Sequence, residues 1–518
     1  MLEFHLFSAL QQNLIVLFLF LLFFSFYTFQ KGKSTLTFIL ILLASAALFS
    51  LGAILDPFLN IWDERFHALV AKNLMQHPLL PTLYDNPVVT MEYDRWDRYT
   101  LWLHKQPLFL WQIALSFKLF GVSEFALRLP NIILGISLVA ATYRSAKLIF
   151  DTKVAFYASI LMLTCTYILE LIAGRQELDH NDFTFLAYIS LSIWAWLEYI
   201  YSGNRKWLVA IGLFSGCAIL CKWLVGLLVY LGWGIYLFPK NRFHLLKYKD
   251  LFYALFITIA IALPWQVLTF SWYPAEAAKA YLFNAAHVTE PLDGHVGTFW
   301  YYTDKFNDMY GKVAAFFLIP SIFITYKKIV NKRVFISLAS MVVVVYLFFS
   351  CVATKMPSFT VITAMPIFIA FGVLLNEIFL FMKNKFANLN GYLFAFLGLA
   401  SILVILKIDL DSLAKKHSTS YKENFYSIEL FRNRNNFKSM RLQPKSILFN
   451  VNERHYVEAM FYTDAVAYNF IPSERQLDEV IGKGYHPIVF KNEKDSIPSY
   501  ISNNGKIKLL PSFISSYY

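Results

Sequence analysis

Long apolar runs separated by short polar segments make up most of the chain. Between Leu14 and Ile408 each run is roughly 15 to 23 residues long, and a helix needs about 20 apolar residues to cross the hydrocarbon core of a bilayer. The pattern predicts an all-α polytopic membrane protein with about twelve or thirteen spanning helices. The expected spans are 9–29, 36–55, 129–146, 154–173, 183–200, 207–221, 223–238, 251–270, 313–326, 334–351, 359–381 and 391–408.

The apolar segment from Pro107 to Phe120 decides how the predicted helices alternate across the membrane. It is marginally short for a span, with Lys105 before it and Lys118 inside it, so we interpret it as interfacial or re-entrant. Most basic loops then share one side, which the positive-inside rule makes cytoplasmic. These loops contain Lys31 and Lys33; Arg144, Lys147 and Lys153; Arg205 and Lys206; Lys240, Arg242, Lys247 and Lys249; Lys327, Lys328, Lys332 and Arg333; and Lys383 and Lys385.

Two other ways of counting the spans fit the charges less well. Treating 107–120 as a thirteenth span moves nearly all of the basic loops to the outside. Merging 207–238 into one helix divides these loops between the two sides. We therefore expect the unusual polar clusters, which lie in the other loops, to face the extracytoplasmic side of a cytoplasmic membrane.

The composition agrees with a membrane protein and excludes a chain that is soluble throughout. Hydrophobic residues make up 58% of the chain and charged residues 15%, respectively above and below the values of soluble proteins. The net charge of +12 lies mainly in short loops, so it indicates topology rather than nucleic-acid binding. No disulfide framework or Cys/His metal site is expected, because the cysteines lie in or beside predicted spans: Cys165, Cys217, Cys221 and Cys351.

The polar segments divide the chain into three parts. Residues 1–55 form the N-terminal transmembrane helices, with a retained first helix, and residues 56–408 form a membrane domain with external loops 56–106 and 271–312. Residues 409–518 are the sizeable soluble piece. Strand-like runs at 447–451 and 487–490 flank a helix-like run at 474–481, which predicts a small α/β domain.

An acidic pair opens the first external loop. Asp63 and Glu64 follow Trp62 and precede apolar residues at helical spacing, as in a helix lying on the membrane surface. Their carboxylates favour a helix N-terminus through the macrodipole alone. The alternative is functional: a carboxylate held at the lipid boundary acts as a general base.

Further charges lie where the remaining loops meet the membrane. His104 and Lys105 close the first external loop, and a lysine there can also simply snorkel toward headgroups. The short connection from Arg175 to Asp182 contains a second acidic site, for which Asp179 and Asp182 both qualify. Asp182 is preferred because the apolar residues of the next span begin directly behind it. Charges at membrane depth are costly unless they are paired or functional. Lys222 and Lys355 also interrupt apolar stretches, and lysines facing carboxylates suit a phosphate.

The loop 271–312 combines polar and aromatic residues. Its histidines are His287 and His295, each of which is more often structural than a ligand, and Trp300, Tyr301 and Tyr302 follow. Sugars stack on such rings and hydrogen-bond to polar rims. We therefore expect this loop to contribute to substrate binding.

Taken in order, these motifs resemble those of the GT-C superfamily of integral membrane glycosyltransferases, specifically the group of dolichyl-phosphate-mannose protein mannosyltransferases and lipid A aminoarabinose transferases. The resemblance covers about residues 56–370. The matching segments are Trp62-Asp63-Glu64, His104-Lys105-Gln106-Pro107-Leu108, Arg128-Leu129-Pro130, Arg175 to Asp182, Cys221-Lys222-Trp223, Leu263-Pro264-Trp265, Asn284 to Tyr302 and Thr354-Lys355-Met356-Pro357. Gln106 stands where the family has a proline, and both residues beside Lys222 also differ from the family's motif.

The resemblance implies a GT-C fold and transfer of a single sugar from a polyprenyl-phosphate donor to a lipid, glycan or protein acceptor. Asp63 is then the expected general base, with Glu64 and Asp182 as further acids and inversion at the anomeric carbon. The donor phosphate is expected to meet Lys105, Lys355, Arg175 and Lys222, and the sugar to meet His104, His287, His295, Trp300, Tyr301 and Tyr302. We expect no obligatory metal, although His104 with His287 or His295 could bind one adventitiously.

Three other functions compete with this interpretation. An oligosaccharide ligase with a pyrophosphate-linked donor shares most of the residues. A flippase or transporter is disfavoured because the charges lie on one face and no internal repeat is visible. A scaffold does not need acids and lysines from several loops in one compartment.

Overall fold

The computed structural model describes residues 3–89, 96–175, 178–242, 244–385, 409–452, 454–492 and 495–514. A helical membrane region is followed by a small α/β domain, which confirms the predicted fold class. The helices up to residue 385 are α1 (Ala9–Gln30), α2 (Ser34–Ile54), α3 (Asp63–Leu74), α4 (Pro107–Phe120), α5 (Glu124–Ile149), α6 (Thr152–Leu163), α7 (Thr166–Ala173), α8 (His180–Ser202), α9 (Lys206–Lys222), α10 (Leu228–Asn241), α11 (Lys249–Trp272), α12 (Pro274–Ala286), α13 (Tyr301–Asp304), α14 (Phe306–Tyr310), α15 (Ala314–Lys328), α16 (Lys332–Cys351) and α17 (Ala364–Lys385).

Eight helical stretches in the described residues are long and apolar enough to cross a membrane, or nine if α6 and α7, bent by 47°, form one span. The count differs from twelve for three further reasons. The continuous helical stretch through α9 and α10 is counted as one, and α15 has only 15 residues. The predicted span 391–408 lies outside the described residues.

The chain nevertheless turns sharply between α9 and α10. A Cβ added at Gly226 would lie 2.7 Å from the backbone nitrogen of Ile219, whereas seven residues of straight helix separate such positions by about 10 Å. The turn follows Lys222, and Trp223 there has a φ of 63°. Lys222 is therefore at a helix end, as the sequence pattern predicted.

Helix α4 is too short to span. Its 14 residues extend about 21 Å, against about 30 Å of hydrocarbon. It begins at Pro107, whose missing N–H costs nothing in the first turn, and it ends at Gly121, where φ is 82°. One side is buried, while Leu115, Leu119 and Phe120 are exposed.

The C-terminal domain contains a four-stranded parallel sheet in the order β2-β1-β3-β4. Its inner strand β1 is buried at every position, as expected for a parallel strand covered on both faces. The elements are α18 (Leu410–His417), α19 (Phe425–Ser439), β1 (Ser446–Phe449), α20 (His455–Tyr462), β2 (Val466–Ala467), α21 (Glu474–Gly482), β3 (His486–Lys491), α22 (Ser499–Ser502) and β4 (Lys508–Pro511).

This domain shares a hydrophobic core with the first long loop. Phe66 and Leu69 of α3 and Phe109 of α4 belong to the same buried cluster as Phe449 and Tyr456. The hydroxyl of Tyr84 also donates to the carbonyl of Ala467 at 3.1 Å. The described residues of the segments 56–89 and 96–120 therefore pack as one body with those of the C-terminal domain.

Candidate functional site

The residues Asp63, Lys105 and Asp179 meet in one group, which we call the Lys105 site. The Lys105 ammonium lies 2.8 Å from Asp179 Oδ2 and 3.1 Å from Asp63 Oδ1. Asp179 is buried, whereas the Asp63 and Lys105 side chains are 24% and 18% exposed. An ammonium has three N–H donors, and these contacts use two. A ligand that enters beside Asp63 can therefore accept the third.

The charges of this site stabilise one another. Burial lowers the pKa of Lys105, but Asp179 and Asp63 outweigh it and hold the pKa well above its ordinary value. Burial alone would raise the pKa of Asp179, yet the Lys105 ammonium brings it well below the usual range. The lysine is thus a fixed cation and Asp179 a fixed carboxylate at neutral pH.

Local structure positions all three side chains. Asp63 is the first residue of α3, immediately after Trp62, whose φ of 70° is rare for a residue other than glycine. Asp179 caps α8 because its Oδ1 accepts from the N–H of Asn181 at 2.9 Å. Its Oδ2 remains for Lys105, which lies two residues before α4 begins.

A second acid and lysine pair lies alongside. Lys222 donates to Asp182, and its ammonium is 4.6 Å from the centre of the Phe359 ring. Positive φ angles thus occur beside a charged site residue twice, at Trp62 and at Trp223. Strained backbone of this kind persists where surrounding contacts impose it, often at functional sites. Both predicted alternatives for the second acid, Asp179 and Asp182, are therefore used, each with its own lysine.

A pair of histidines lies behind the Lys105 site. His67 Nδ1 is 2.7 Å from His180 Nε2, and both rings are buried. Burial lowers the pKa of His67 to about 3, so its ring is neutral at physiological pH. No described residue hydrogen-bonds to His67 Nε2.

Asp63, His67 and Asp179 could hold a metal ion. One ligand atom from each lies within 4.8 Å of the others, and carboxylate oxygen with imidazole nitrogen suits several divalent metals. The Lys105 ammonium contacts two of these three groups. A lysine therefore already supplies positive charge where a metal would bind.

Glu64 points away from the Lys105 site. Its carboxylate makes a double hydrogen bond with Arg128, at 2.7 and 2.9 Å, and accepts from the backbone N–H of Asn60 at 2.7 Å. Arg128 also donates to the carbonyls of Ala53, Asp56 and Phe58. We call Asp56, Glu64 and Arg128 the Arg128 cluster. Its partners make Glu64 a structural residue rather than a free carboxylate.

Arg175 also lies elsewhere than the sequence analysis proposed. Its guanidinium is 3.4 Å from Asp56 and lies 4.2 Å from the ring centre of Tyr426. Burial raises the pKa of Asp56, but His417 and Arg175 bring it well below its ordinary value. Arg175 therefore joins the Arg128 cluster to the C-terminal domain instead of facing Lys105.

Lys355 is engaged by the end of a helix. Its ammonium donates to the carbonyls of Phe349, Ser350 and Val352 at 2.8, 2.7 and 2.5 Å, which uses all three N–H groups. Cations complement a helix C-terminus in this way. The neighbouring backbone pairs with the loop 271–312, since Thr354 and Lys355 donate to the carbonyls of His287 and His295. Lys355 can meet a phosphate only after leaving these carbonyls.

The predicted sugar-binding residues divide into two groups. His104 is buried, stacks on Trp96 at 4.6 Å and lies next to Phe283. Phe283 also packs on His287. Because His104 is the residue before Lys105, both histidines lie near Lys105. The three consecutive aromatic residues differ in exposure: Trp300 is 64% exposed, Tyr301 is intermediate and Tyr302 is only 1% exposed.

Sequence reasoning missed residues that act through hydrogen bonds. His67 and His180 were not singled out. Gln266 donates to Gln106 at 2.8 Å and accepts from Tyr281. Gln106 stands where the family has a proline, and its hydrogen bond with Gln266 accounts for a glutamine at this position. The spacing of His67 four residues after Asp63 was the available signal, since such residues share a helix face.

The fold and the site together define a polytopic membrane protein with acids and lysines from separate loops gathered at helix ends. Comparisons with known proteins agree. Residues 104–268 match the family described as dolichyl-phosphate-mannose-protein mannosyltransferase. An uncharacterized protein of Aquifex aeolicus is 29% identical over 40% of this chain and 39% of its own. The undecaprenyl phosphate-α-4-amino-4-deoxy-L-arabinose arabinosyl transferase 2 of Pseudomonas fluorescens is 24% identical over 58% of this chain and 55% of its own.

The fold is also similar to solved structures. ArnT from Cupriavidus metallidurans bound to undecaprenyl phosphate has a TM-score of 0.60 at 16% identity, covering 91% of this chain and 89% of its own. The apo oligosaccharyltransferase of Archaeoglobus fulgidus has a TM-score of 0.52 at 13% identity, covering 83% and 64%. The matches span about two fifths to just over half of the curated relatives' lengths. The chain is thus similar to membrane glycosyltransferases in sequence over residues 104–268 and in fold over most of its length.

Proposed function

We propose that the protein transfers a single sugar from a polyprenyl-phosphate donor to a hydroxyl acceptor, with inversion, on the extracytoplasmic face of a cytoplasmic membrane. The observation that carries the proposal is that Lys105 lies between Asp63 and Asp179 at the start of the apolar helix α8. Relatives named as undecaprenyl-phosphate-dependent arabinosyl transferases support the class of donor. The acceptor is a lipid, glycan or protein.

Asp63 acts as the general base in this reaction. The acceptor oxygen attacks the anomeric carbon, its proton passes to the Asp63 carboxylate, and the bond from that carbon to the phosphate oxygen breaks. The oxygen leaves with the electron pair as polyprenyl phosphate. Asp63 suits this role because its side chain is partly exposed and contacts a single described cation, whereas Asp179 is buried and caps α8.

The two lysines balance the charge that develops on the phosphate. Lys105 keeps one N–H donor and Lys222 keeps two beyond their carboxylate partners. Because the pKa of Lys105 is held above its ordinary value, the charge persists throughout the physiological range. Fixed cations aimed at a leaving group stabilise the transition state without reorganisation. A metal ion is not required for this neutralisation.

The test is transfer of radiolabelled sugar by membranes that contain the wild-type chain, Asp63→Asn or Asp85→Asn at equal expression, with chelator present. Asp85 is a surface acid of the same loop and is the matched control. We expect wild type and Asp85→Asn to use monophosphate-linked donors and Asp63→Asn to fail. Equal transfer by all three would show that Asp63 is not the general base and would make Asp182 the next candidate.

An oligosaccharide ligase is the second candidate, because Asp63, His67 and Asp179 have the spacing of a metal site. The same membranes are therefore given a pyrophosphate-linked oligosaccharide with and without Mn²⁺. Transfer only from that donor, and only with metal, would establish the ligase and contradict the monophosphate proposal.

A further inference from the structure

The segment 59–62, which leads into α3, is held by residues of the C-terminal domain. The backbone N–H of Leu59 donates to the Tyr462 hydroxyl at 3.1 Å, and that of Ile61 donates to the Tyr426 hydroxyl at 3.3 Å. The Tyr426 hydroxyl in turn donates to Asn60 Oδ1 at 3.1 Å. Two tyrosines more than 360 residues away in sequence thus bind alternate backbone amides just before Asp63.

Two further contacts, each made by a charged side chain, hold the residues on both sides of Asp63. The Arg454 guanidinium lies 3.6 Å from the centre of the Trp62 ring, a close cation–π contact. Arg65 pairs with Glu458 of α20 at 3.1 Å, and their side chains are 1% and 0% exposed. Breaking a buried pair is strongly unfavourable. The residue before Asp63 and the residue two positions after it are therefore both held by the C-terminal domain.

The backbone at this point needs such support. Trp62 has φ 70°, which residues other than glycine rarely adopt. A small rotation there would swing the Asp63 side chain away from Lys105, because Asp63 is the next residue and begins the helix. The tyrosine hydroxyls bind the backbone within three residues of Trp62, where they oppose that rotation.

We propose that the C-terminal domain is a positioning part of the active site and that Tyr426 and Tyr462 are positioning residues for Asp63. The inference rests on the proposed function, since it takes Asp63 as the base. The hydroxyls fix the backbone of 59–62 so that the Asp63 carboxylate stays beside Lys105.

The test removes only the hydroxyls, in the full-length chain. Tyr426→Phe, Tyr462→Phe and the double variant are compared with Tyr500→Phe, whose hydroxyl donates to the Pro472 carbonyl inside the same domain. Hydrogen–deuterium exchange of residues 59–65 is measured without donor, and kcat and KM are measured with it. The exchange measurement reports on the contacts even if no donor is found.

We expect faster exchange at 59–65 in the double variant, with kcat lowered about 10-fold and the KM for the donor unchanged, because misplacing a catalytic group affects the chemical step. Tyr500→Phe should match the wild type in both measurements. Unchanged exchange would overturn the inference, as would faster exchange with wild-type kcat. Failure of the proposed function is seen separately, as wild-type transfer that survives Asp63→Asn.

Discussion

The Lys105 site and the Arg128 cluster contain acids that are neighbours in sequence, Asp63 and Glu64. The two sites differ in how completely these acids and their cations are paired and buried. Glu64 and Arg128 are 1% and 0% exposed, and every nitrogen of that guanidinium donates to oxygen. Asp63 is partly exposed and shares its lysine with a second acid. A fully saturated buried pair can only stabilise the fold, whereas an accessible carboxylate with one cation can also take a proton.

The difference follows from helix geometry. Consecutive residues on a helix point about 100° apart, so Asp63 and Glu64 at the start of α3 face different neighbours. His67, four residues after Asp63, returns to the face of the Lys105 site. The helix thus directs Asp63 toward Lys105 and Glu64 toward Arg128 within its first turn.

The largest expected effect is on activity, from Asp63→Asn. Removing a general base typically lowers the rate by about 10² to 10⁴, and we expect this loss in kcat. Because Asp63 is partly exposed and asparagine keeps its shape, the thermal unfolding midpoint in detergent should stay close to that of wild type. A variant that unfolds early would instead make Asp63 a structural residue.

Glu64→Gln should show the opposite behaviour. It leaves the buried Arg128 charge without its carboxylate, which typically costs about 3 to 5 kcal/mol of stability. We expect a clearly lower unfolding midpoint and less folded protein, with the surviving fraction retaining transfer. Glu479→Gln on the exposed side of α21 is the control. Normal stability combined with lost transfer would instead indicate that Glu64 takes part in the reaction.

Lys105→Ala is expected to lower kcat by about 10², the effect of losing one preorganised charge. The change also removes the ammonium from the Asp63 and Asp179 carboxylates, which lie beside His67 in the possible metal site. We therefore expect the purified variant to bind Mn²⁺ or Zn²⁺, measured by calorimetry, where the wild type and Lys118→Ala do not. Equal metal binding by all three proteins would show that Lys105 does not occupy the metal position.

The smallest effect is a dependence of stability on pH. The pKa of His67 is about 3 in the fold and about 6.5 when unfolded, so the unfolded state binds a proton that the folded state does not. This stability is complete above pH 6.5 and falls as the pH drops, by about 1.4 kcal/mol per unit for one such group. The pKa of His104 is depressed as well, which adds to the trend.

Thermal unfolding at pH 7.5 and 5.5 tests this dependence. His67→Gln should flatten the profile, because glutamine does not titrate. His77→Gln, at an exposed position, should leave it unchanged. A wild-type profile that does not weaken at pH 5.5 would mean that His67 is already protonated in the fold.

Much of the fold followed from local pattern. Spans, the short helix α4 and the small α/β domain are visible in the sequence because each reflects a length of apolar chain or a strand period. For the candidate site, the sequence singled out Asp63, Lys105, Lys222 and the acids at 179 and 182, since charges near membrane depth stand out against apolar neighbours. Two of the departures from the family pattern, Gln106 and Trp223, lie at a hydrogen bond and at a strained turn.

The hydrogen-bond and ion-pair partners of these charged residues could not be predicted from the sequence in the same way. Glu64 and Arg175 were expected at the site, but their partners Arg128 and Asp56 lie far along the chain. Lys355 was expected to meet phosphate, and it donates instead to the end of its own preceding helix. Residue type shows that a charge needs compensation and does not show which group supplies it.

The sequence by itself determined that this is a polytopic membrane protein with acids and lysines at the ends of its helices, because burial in lipid restricts which residues can appear where. Only the tertiary structure decided which acid faces a lysine beside an opening and which is held in a buried pair. The physical reason is that hydrogen bonds and ion pairs act over about 3 Å. That distance is set by how helices and the C-terminal domain pack, from contacts hundreds of residues apart in the chain.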